Sequence, residues 1–442
     1  MSIMLLEFRV CNFCSIRDRQ ALSFVASSDR AMARTNLMAT GLKSPSHAVR
    51  VAVVYGPNAS GKSTLLRALN YARAVVAESA TVIQPGQTYN VRPFRLDASC
   101  AEQPTEFELS FMVDGVRHQY SFAMTAQRIV REALLVYRSV KPTRLFERRL
   151  KDDGETYGFE FSSYLTGPRK LWQESTRANA LFLSTAAQLN SDVLNPVFRS
   201  IVRDIIFLPA GAMFDPDTTT AMLATVEGRT AIRDFLSAAD VGITDVQVVS
   251  RKGIRSEVSV RPDGAAQVNH QEGEHLVPVF EHKSGSGTAL FELHEESGGT
   301  QRLYGMAAAV LAVLRDGRAL IVDELDTSMH TLLVRRLVSM FHDPELNKAG
   351  AQLIFSTHDT TLLDYTLFRR DQIWFTEKGA DHATRVYPLT DFSPRKNEAW
   401  EKGYLSGRYG AVPFFEDWPR TLERIPPVET RARQRRTDPT TA

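Results

Sequence analysis

Eight consecutive residues, Gly56-Pro57-Asn58-Ala59-Ser60-Gly61-Lys62-Ser63, fill every specified position of a G-x-x-x-x-G-K-S phosphate-binding loop. In such a loop the backbone N–H groups cradle anionic phosphates, Lys62 reaches the β and γ phosphates of a nucleotide, and the Ser63 hydroxyl can ligate Mg²⁺. That chemistry needs a strand in front of the loop and a helix behind it. Val51-Ala52-Val53-Val54-Tyr55 reads as a buried strand, and Thr64 to Val76, with Leu65, Leu66, Leu69 and Ala72 apolar, reads as the helix. A glycine-bearing turn with an incidental lysine needs neither flank.

Three further pieces have the chemistry to complete such a site. Ala319-Leu320-Ile321-Val322 is an apolar strand ending in Asp323 and Glu324. One carboxylate at such a strand end can hold a metal through its water shell, and the next can orient an attacking water. In isolation the pair reads more readily as a helix cap or a solvated edge; a complete phosphate loop in the same chain reverses that. A third strand, Gln352 to Phe355, ends in Ser356-Thr357-His358-Asp359, which puts His358 at a strand end 34 residues beyond Glu324. An imidazole there could contact the γ phosphate or the attacking water, although a lone histidine is more often structural. The fourth piece, Ser297-Gly298-Gly299-Thr300, leads into the apolar helical run Tyr304 to Leu314 and starts 26 residues before Asp323. Small residues at a helix start leave free N–H groups for an anion, and the same letters also make an ordinary capped turn.

The order of these four pieces resembles the ATP-binding-cassette class of ATPases, especially the soluble branch that includes the SMC, RecF and OLD-like proteins. Leu5 to Ile16 looks like that branch's first strand and following turn. Ala21-Leu22-Ser23-Phe24-Val25-Ala26-Ser27, Glu296 to Thr300, Asp323 to His330 and Tyr404 to Pro413 are similar to the bacterial AAA_15/AAA_21-type ATP-binding proteins, a group that includes RloA and AbiLi-like defence ATPases, over roughly residues 4 to 415. The resemblance implies an α/β fold: an ABC-type P-loop ATPase head with a mixed β-sheet core and a long α/β insertion lobe. It implies ATP and Mg²⁺ as cofactors, with Gly56, Asn58, Gly61, Lys62, Ser63 and Thr64 around the nucleotide, Ser63 and Asp323 on the metal, and Glu324, His358 and Lys62 in hydrolysis. It implies that two heads close head to tail, so that Ser297, Gly298 and Gly299 of one copy meet the nucleotide of the other, with Asp326 and Ser328 near the junction. ATP binding would then hold a homodimer or larger oligomer together, and hydrolysis would release it. The functional expectation is a switch controlling a separately encoded effector in antiphage defence or abortive infection; the alternative is a RecF-like DNA-repair ATPase acting directly on DNA. The glutamine that the class places after the first helix stays open among Gln84, Gln87 and Gln103.

The chain's 442 residues, 43% hydrophobic and 24% charged, suffice for two or three compact units. No stretch approaches twenty uninterrupted apolar residues, and Glu7 and Arg9 interrupt any leader core, which argues for no membrane span and a cytoplasmic location. Three cysteines, Cys11, Cys14 and Cys100, fit a reducing compartment, and a single C-x-x-C without a second pair is a poor metal site.

Lys62 and Asp323 are 261 residues apart, more than a phosphate-loop domain requires, so an insertion is expected. The expected division is an N-terminal half of the head over 1–125, an inserted lobe over 126–280, a C-terminal half over 281–418 and a basic tail over 419–442. Phe107 to Val113 and Gln119 to Met124 flank Asp114-Gly115 as a hairpin. Trp172 to Arg203 reads as two helices interrupted near Asn195-Pro196, Ala221 to Asp234 as another, and 243–280 as short strand-like alternation. Sustained heptads are missing, unlike in SMC-type coiled coils. Asp215 and Asp217 form a D-x-D that reads as a turn at least as well as a metal site. The net charge of +2 gives little support for a dedicated nucleic-acid surface, and nucleic acid stays open as a partner mainly through Arg431, Arg433, Arg435 and Arg436 of the tail.

Overall fold

All five residues of Val51–Tyr55 are buried because the strand lies inside a six-stranded sheet covered on both faces. The spatial order is Ile205–Leu208, Ala319–Val322, Gln352–Ser356, Val51–Tyr55, Ile373–Lys378 and Thr384–Pro388. The first five run parallel and the last antiparallel, a mixed sheet of the kind expected. Side chains alternate between two cores: Ala52 and Val54 face one, with Leu65, Leu69 and Val76 of the helix Lys62–Glu78, while Val51, Val53 and Tyr55 face the other, with Leu303, Val310 and Val334. This computed structural model describes residues 3–139, 141–210, 216–238, 242–260, 266–395 and 398–413, with 253–260 and 266–272 described as backbone.

The first core is closed by a seven-stranded antiparallel sheet, in the order Tyr157–Phe161, Thr143–Leu150, Ile129–Tyr137, Val116–Met124, Thr105–Val113, Met4–Cys11 and Gln20–Ser23. Asp114 and Gly115 turn its central hairpin with φ of 50° and 74°, and Val113 pairs with Val116. Gln352 ties the two sheets together: its Oε1 accepts from the Leu5 N–H at 2.6 Å, and its Nε2 donates to the Leu5 and Val49 carbonyls at 3.1 and 3.0 Å.

Of the residues expected as an inserted lobe, 126–280, the first three strands continue this antiparallel sheet. Three helices follow, Arg169–Ser175, Phe182–Gln188 and Asn195–Arg203, where the sequence predicts two. Pro196 lies in the first turn of the last and starts it, because a first-turn proline gives up an N–H that has no helical partner. Residues 216–237 likewise form two helices, Pro216–Met222 and Val226–Ser237, the second capped by Thr225. The short alternation expected over 243–280 is instead one long hairpin, Ile243–Val260 with Ala266–Ser284, held by a backbone ladder that has no side-chain signature. The expected tail 419–442, with its arginines, and Asp215 of the D-x-D lie outside the described residues. Among the described residues no helix is long and apolar enough to cross a membrane.

One buried polar cluster fastens the sheet to these helices. Glu132 is fully buried and accepts from the N–H groups of Phe182 and Leu183 at 2.6 and 2.9 Å and from the Tyr120 hydroxyl at 2.9 Å. Burial pushes its carboxyl up, and the nearby Arg148 guanidinium opposes this. Arg148 is itself buried, over the Tyr157 ring and donating to the Ala180 carbonyl at 2.6 Å. Glu132→Ala should cost about 3 kcal/mol or more, since it strands two helix-start donors, a phenol and a guanidinium. Urea unfolding checks this; a loss below about 1 kcal/mol would show the cluster to be dispensable.

Candidate functional site

The loop expected to hold phosphates is folded by close approach. Gly56 and Gly61 have φ of 154° and 112°, and a Cβ on Gly56 would sit 2.3 Å from the Thr376 carbonyl oxygen. On Gly61 it would sit 2.3 Å from the Thr384 hydroxyl. Only glycine fits either place. Those two threonines, on the last two strands of the sheet, brace the loop from outside: the Ser60 and Thr376 hydroxyls are 2.6 Å apart, and the Thr384 hydroxyl donates to the Ser60 carbonyl at 2.9 Å. Ser15 extends the chain of hydroxyls, 2.8 Å from Thr384 and 3.3 Å from Thr64. Asn58 is exposed at the loop's crest.

Lys62 begins the helix and is 5% exposed. Its Nζ donates to the Gly56 carbonyl at 2.7 Å and the Pro57 carbonyl at 3.2 Å. Burial pushes the ammonium down to about 8, with Glu324, Asp323 and Asp326 pulling the other way. The three carboxylates and this lysine therefore share one electrostatic neighbourhood, although they lie some 260 residues apart in sequence.

The two acids meet the loop through hydroxyls. Ser63 Oγ donates to Asp323 Oδ1 at 3.0 Å, and Ser356 Oγ donates to the same oxygen at 2.6 Å. Ser356 also accepts from the Glu324 N–H at 2.7 Å. Glu324 has a left-handed backbone, φ 54°, unusual outside glycine and held here from both sides: Arg302 Nη2 donates to its carbonyl at 2.7 Å. The Glu324 carboxylate is half-exposed and accepts from the Thr327 hydroxyl at 3.4 Å, whereas Asp323 is buried. A buried carboxylate bridged to a serine hydroxyl is an all-oxygen set suited to a hard divalent cation that keeps water and phosphate in its remaining positions.

His358 is exposed at the end of Gln352–Ser356, and its N–H donates to Asp326 Oδ2 at 3.2 Å. The helix Gly298–Asp316 starts at Ser297, whose Oγ accepts from the Thr300 N–H at 3.1 Å. Ser297 and Gly298 are exposed, and a Cβ on Gly298 would meet nothing within 4 Å. Gly299 is different, since a Cβ there would come within 2.7 Å of the Ser328 carbonyl. The helix start thus packs on the segment after Glu324, and one turn later Arg302 reaches Glu324 itself.

The open choice among glutamines gains a boundary. Gln84 and Gln87 hydrogen-bond to each other beyond the far end of Lys62–Glu78, and the Gln103 carbonyl accepts from Asn12. The strand beside Ala319–Val322 is Ile205–Leu208, whose Leu208 carbonyl accepts from the Asp323 N–H at 2.9 Å. Of the motif that begins at Tyr404, that tyrosine stacks on Phe375 at 5.5 Å and lies 5.9 Å from Tyr55, and its hydroxyl donates to the Ala411 carbonyl. Ser356, Thr376, Thr384 and Arg302 were not singled out from the sequence. Ser356 could have been, as a hydroxyl at a buried strand end beside an acid-bearing one.

The family model described as "AAA domain, putative AbiEii toxin, Type IV TA system" (AAA_21) matches residues 51–364. No curated protein matches the chain. Among solved structures, that of the SmcHead bound to the C-winged helix domain of ScpA is similar at 12% identity, over 87% of this chain and 97% of that chain, with a TM-score of 0.41.

Proposed function

The chain belongs to the AAA_21 family of ATP-binding and hydrolysing domains, and from that premise we propose that it is an Mg-dependent ATPase switch whose active site is completed by a second copy of itself. The observation that carries this reading is the hydroxyl-linked path Ser63–Asp323–Ser356–Glu324, which joins a phosphate loop to two acids with different surroundings. Asp323, buried and bridged to Ser63, would hold a hard divalent cation that neutralises the β and γ phosphates. Glu324, half-exposed, held at its backbone by Ser356 and Arg302 and at its carboxylate by a long 3.4 Å bond from the Thr327 hydroxyl, would orient the attacking water. Lys62 leaves its loop carbonyls for the phosphates, and His358 lies on the exposed side where the γ phosphate would end.

Ser297, Gly298 and Gly299 take their place on the opposing nucleotide. Ser297 and Gly298 are open to the outside, and the helix start rests on the segment that follows Glu324, so contact with a neighbour's phosphates would be felt at the acid through Arg302. In its biological setting the switch controls a separately encoded effector in antiphage defence or abortive infection, as in the RloA and AbiLi-like ATPases; the family's description names a toxin system.

Ser297→Arg tests the composite site. The variant should bind ATP as the wild type does, yet stay a monomer with Mg-ATP and lose turnover by about tenfold or more, because bulk at the opposing phosphates blocks closure. Normal dimerisation and hydrolysis, read by light scattering and phosphate release, would remove the cross-subunit assignment.

A further inference from the structure

A cleft of about 920 Å³ opens beside the phosphate loop, walled by Thr64 and Arg67 of the loop helix on one side and by Ile205, Ile206 and Phe207 on the other. Arg67, Arg73, Arg92, Arg203 and Arg318 all line it, and no Asp or Glu does among the described residues. For a chain of net charge +2 this is a strong local excess. Arg318 pairs with Asp316 at 2.7 Å. Three of the others hydrogen-bond to neutral groups: Arg67 Nε donates to the Ser63 carbonyl at 3.0 Å, Arg73 to the Val202 carbonyl and the Asn70 amide oxygen at 3.2 and 3.4 Å, and Arg92 to the Asn90 amide oxygen at 3.3 Å. Arg92 and Arg203 are exposed at the rim. Deeper in, burial pushes the Arg73 guanidinium down, and Glu78 on the same helix only partly opposes this. The carboxyl of Asp204, next in sequence to Arg203, is pushed up by burial, opposed first by the Arg318 guanidinium and then by hydrogen bonds from the Ile3 N–H and the Ser200 hydroxyl, so Arg318 is the cleft arginine with acidic neighbours on both sides.

Half-buried Tyr71 and Phe207 add aromatic surface between these cations. Guanidinium groups interleaved with aromatic rings in a groove suit a flexible chain of phosphates whose bases are free to stack. A duplex keeps its bases inside and cannot lay them on recessed rings. We propose that this cleft binds single-stranded nucleic acid, with the arginines on the backbone phosphates and Tyr71 and Phe207 against the bases. Its walls are the helix that begins at Lys62 and the strand whose Leu208 carbonyl bonds Asp323, so an occupant would press on both halves of the nucleotide site. That last coupling rests on the ATPase reading given above; strand binding itself does not.

The test is fluorescence anisotropy of a labelled oligothymidylate on the full chain and on an Arg92→Glu, Arg203→Glu double variant, with binding of a fluorescent ATP analogue measured on both proteins. The wild type should bind the strand with marked salt dependence. The double variant should bind about tenfold or more weaker, with a log–log salt slope shallower by about 1.4 for two lost phosphate contacts, and should keep its ATP-analogue affinity. Equal strand affinity of the two proteins would overturn the proposal. So would displacement of the strand by free AMP, which would make the cleft part of the nucleotide pocket, or equal competition by duplex. If the charge reversals disturb the thermal melt, Arg92→Gln with Arg203→Gln makes the same comparison with a smaller effect. Wild-type protein that binds the strand but no ATP analogue would sink the ATPase reading and leave the cleft assigned.

Discussion

Glu324→Gln should keep ATP bound and accumulate as a larger species in Mg-ATP, with turnover down by about 100-fold or more, the usual cost of losing a group that positions or deprotonates the nucleophile. The substitution isolates the carboxylate because the backbone of Glu324 is held independently, by Ser356 at its N–H and by Arg302 at its carbonyl. Glutamine keeps the size and the left-handed turn and removes only the negative charge. The measurement is mass by light scattering coupled to size exclusion, with and without Mg-ATP, alongside phosphate release. A mass that doubles only with Mg-ATP supports the composite-site switch. Wild-type hydrolysis in the variant would remove Glu324 from its role, and an unchanged mass would remove ATP from control of assembly.

Lys62→Ala should weaken ATP binding by about 100-fold, since Lys62 is the cation that the loop itself places among Asp323, Glu324 and Asp326, while Arg302, the other cation near Glu324 and Asp326, is committed to the Glu324 carbonyl. The effect has a pH signature. In the free protein burial pushes the ammonium down to about 8 from its ordinary 10.5, whereas phosphates beside it would draw it back up. Binding should therefore take up a proton increasingly as pH rises through about 8, and affinity should fall above that pH. Calorimetry in buffers of different ionisation enthalpy reads the uptake, which should vanish in Lys62→Ala. Without nucleotide the sign for stability is opposite: above about 8 the unfolded lysine holds more protons than the folded one, so this group's contribution to stability improves as pH rises towards 10.5. Proton uptake that is unchanged in the variant would show that another group titrates.

How much of this was legible depends on sequence distance. The loop from Gly56 to Ser63, the strand before it and the helix after it form one contiguous segment whose periodicity and glycines specify it locally. The acid strand and the Ser297–Gly299 helix start were legible for the same reason, each being a short strand-end or cap pattern. The hairpin at Asp114-Gly115 was as clear. The helix boundaries near Pro196 were less so, because a proline both ends and begins helices, and packing against the sheet decided which. The long hairpin from 243 to 284 escaped because backbone pairing asks little of side-chain pattern.

The sequence by itself determined the fold class and singled out the glycine loop and the strand-end acids proposed as the nucleotide site, since each is written in residues that are neighbours along the chain. Tertiary structure alone decided which hydroxyls complete the site. Ser356 lies 33 residues from Asp323, Thr376 316 from Ser60, and Thr384 324 from Ser60. A serine or threonine in a strand has no local mark that says whether its hydroxyl will face a carboxylate, a loop carbonyl or water. Sheet order and register, set by burial over the whole domain, bring those oxygens within hydrogen-bonding distance, and the same packing gathers five arginines into one cleft of a chain whose net charge is +2.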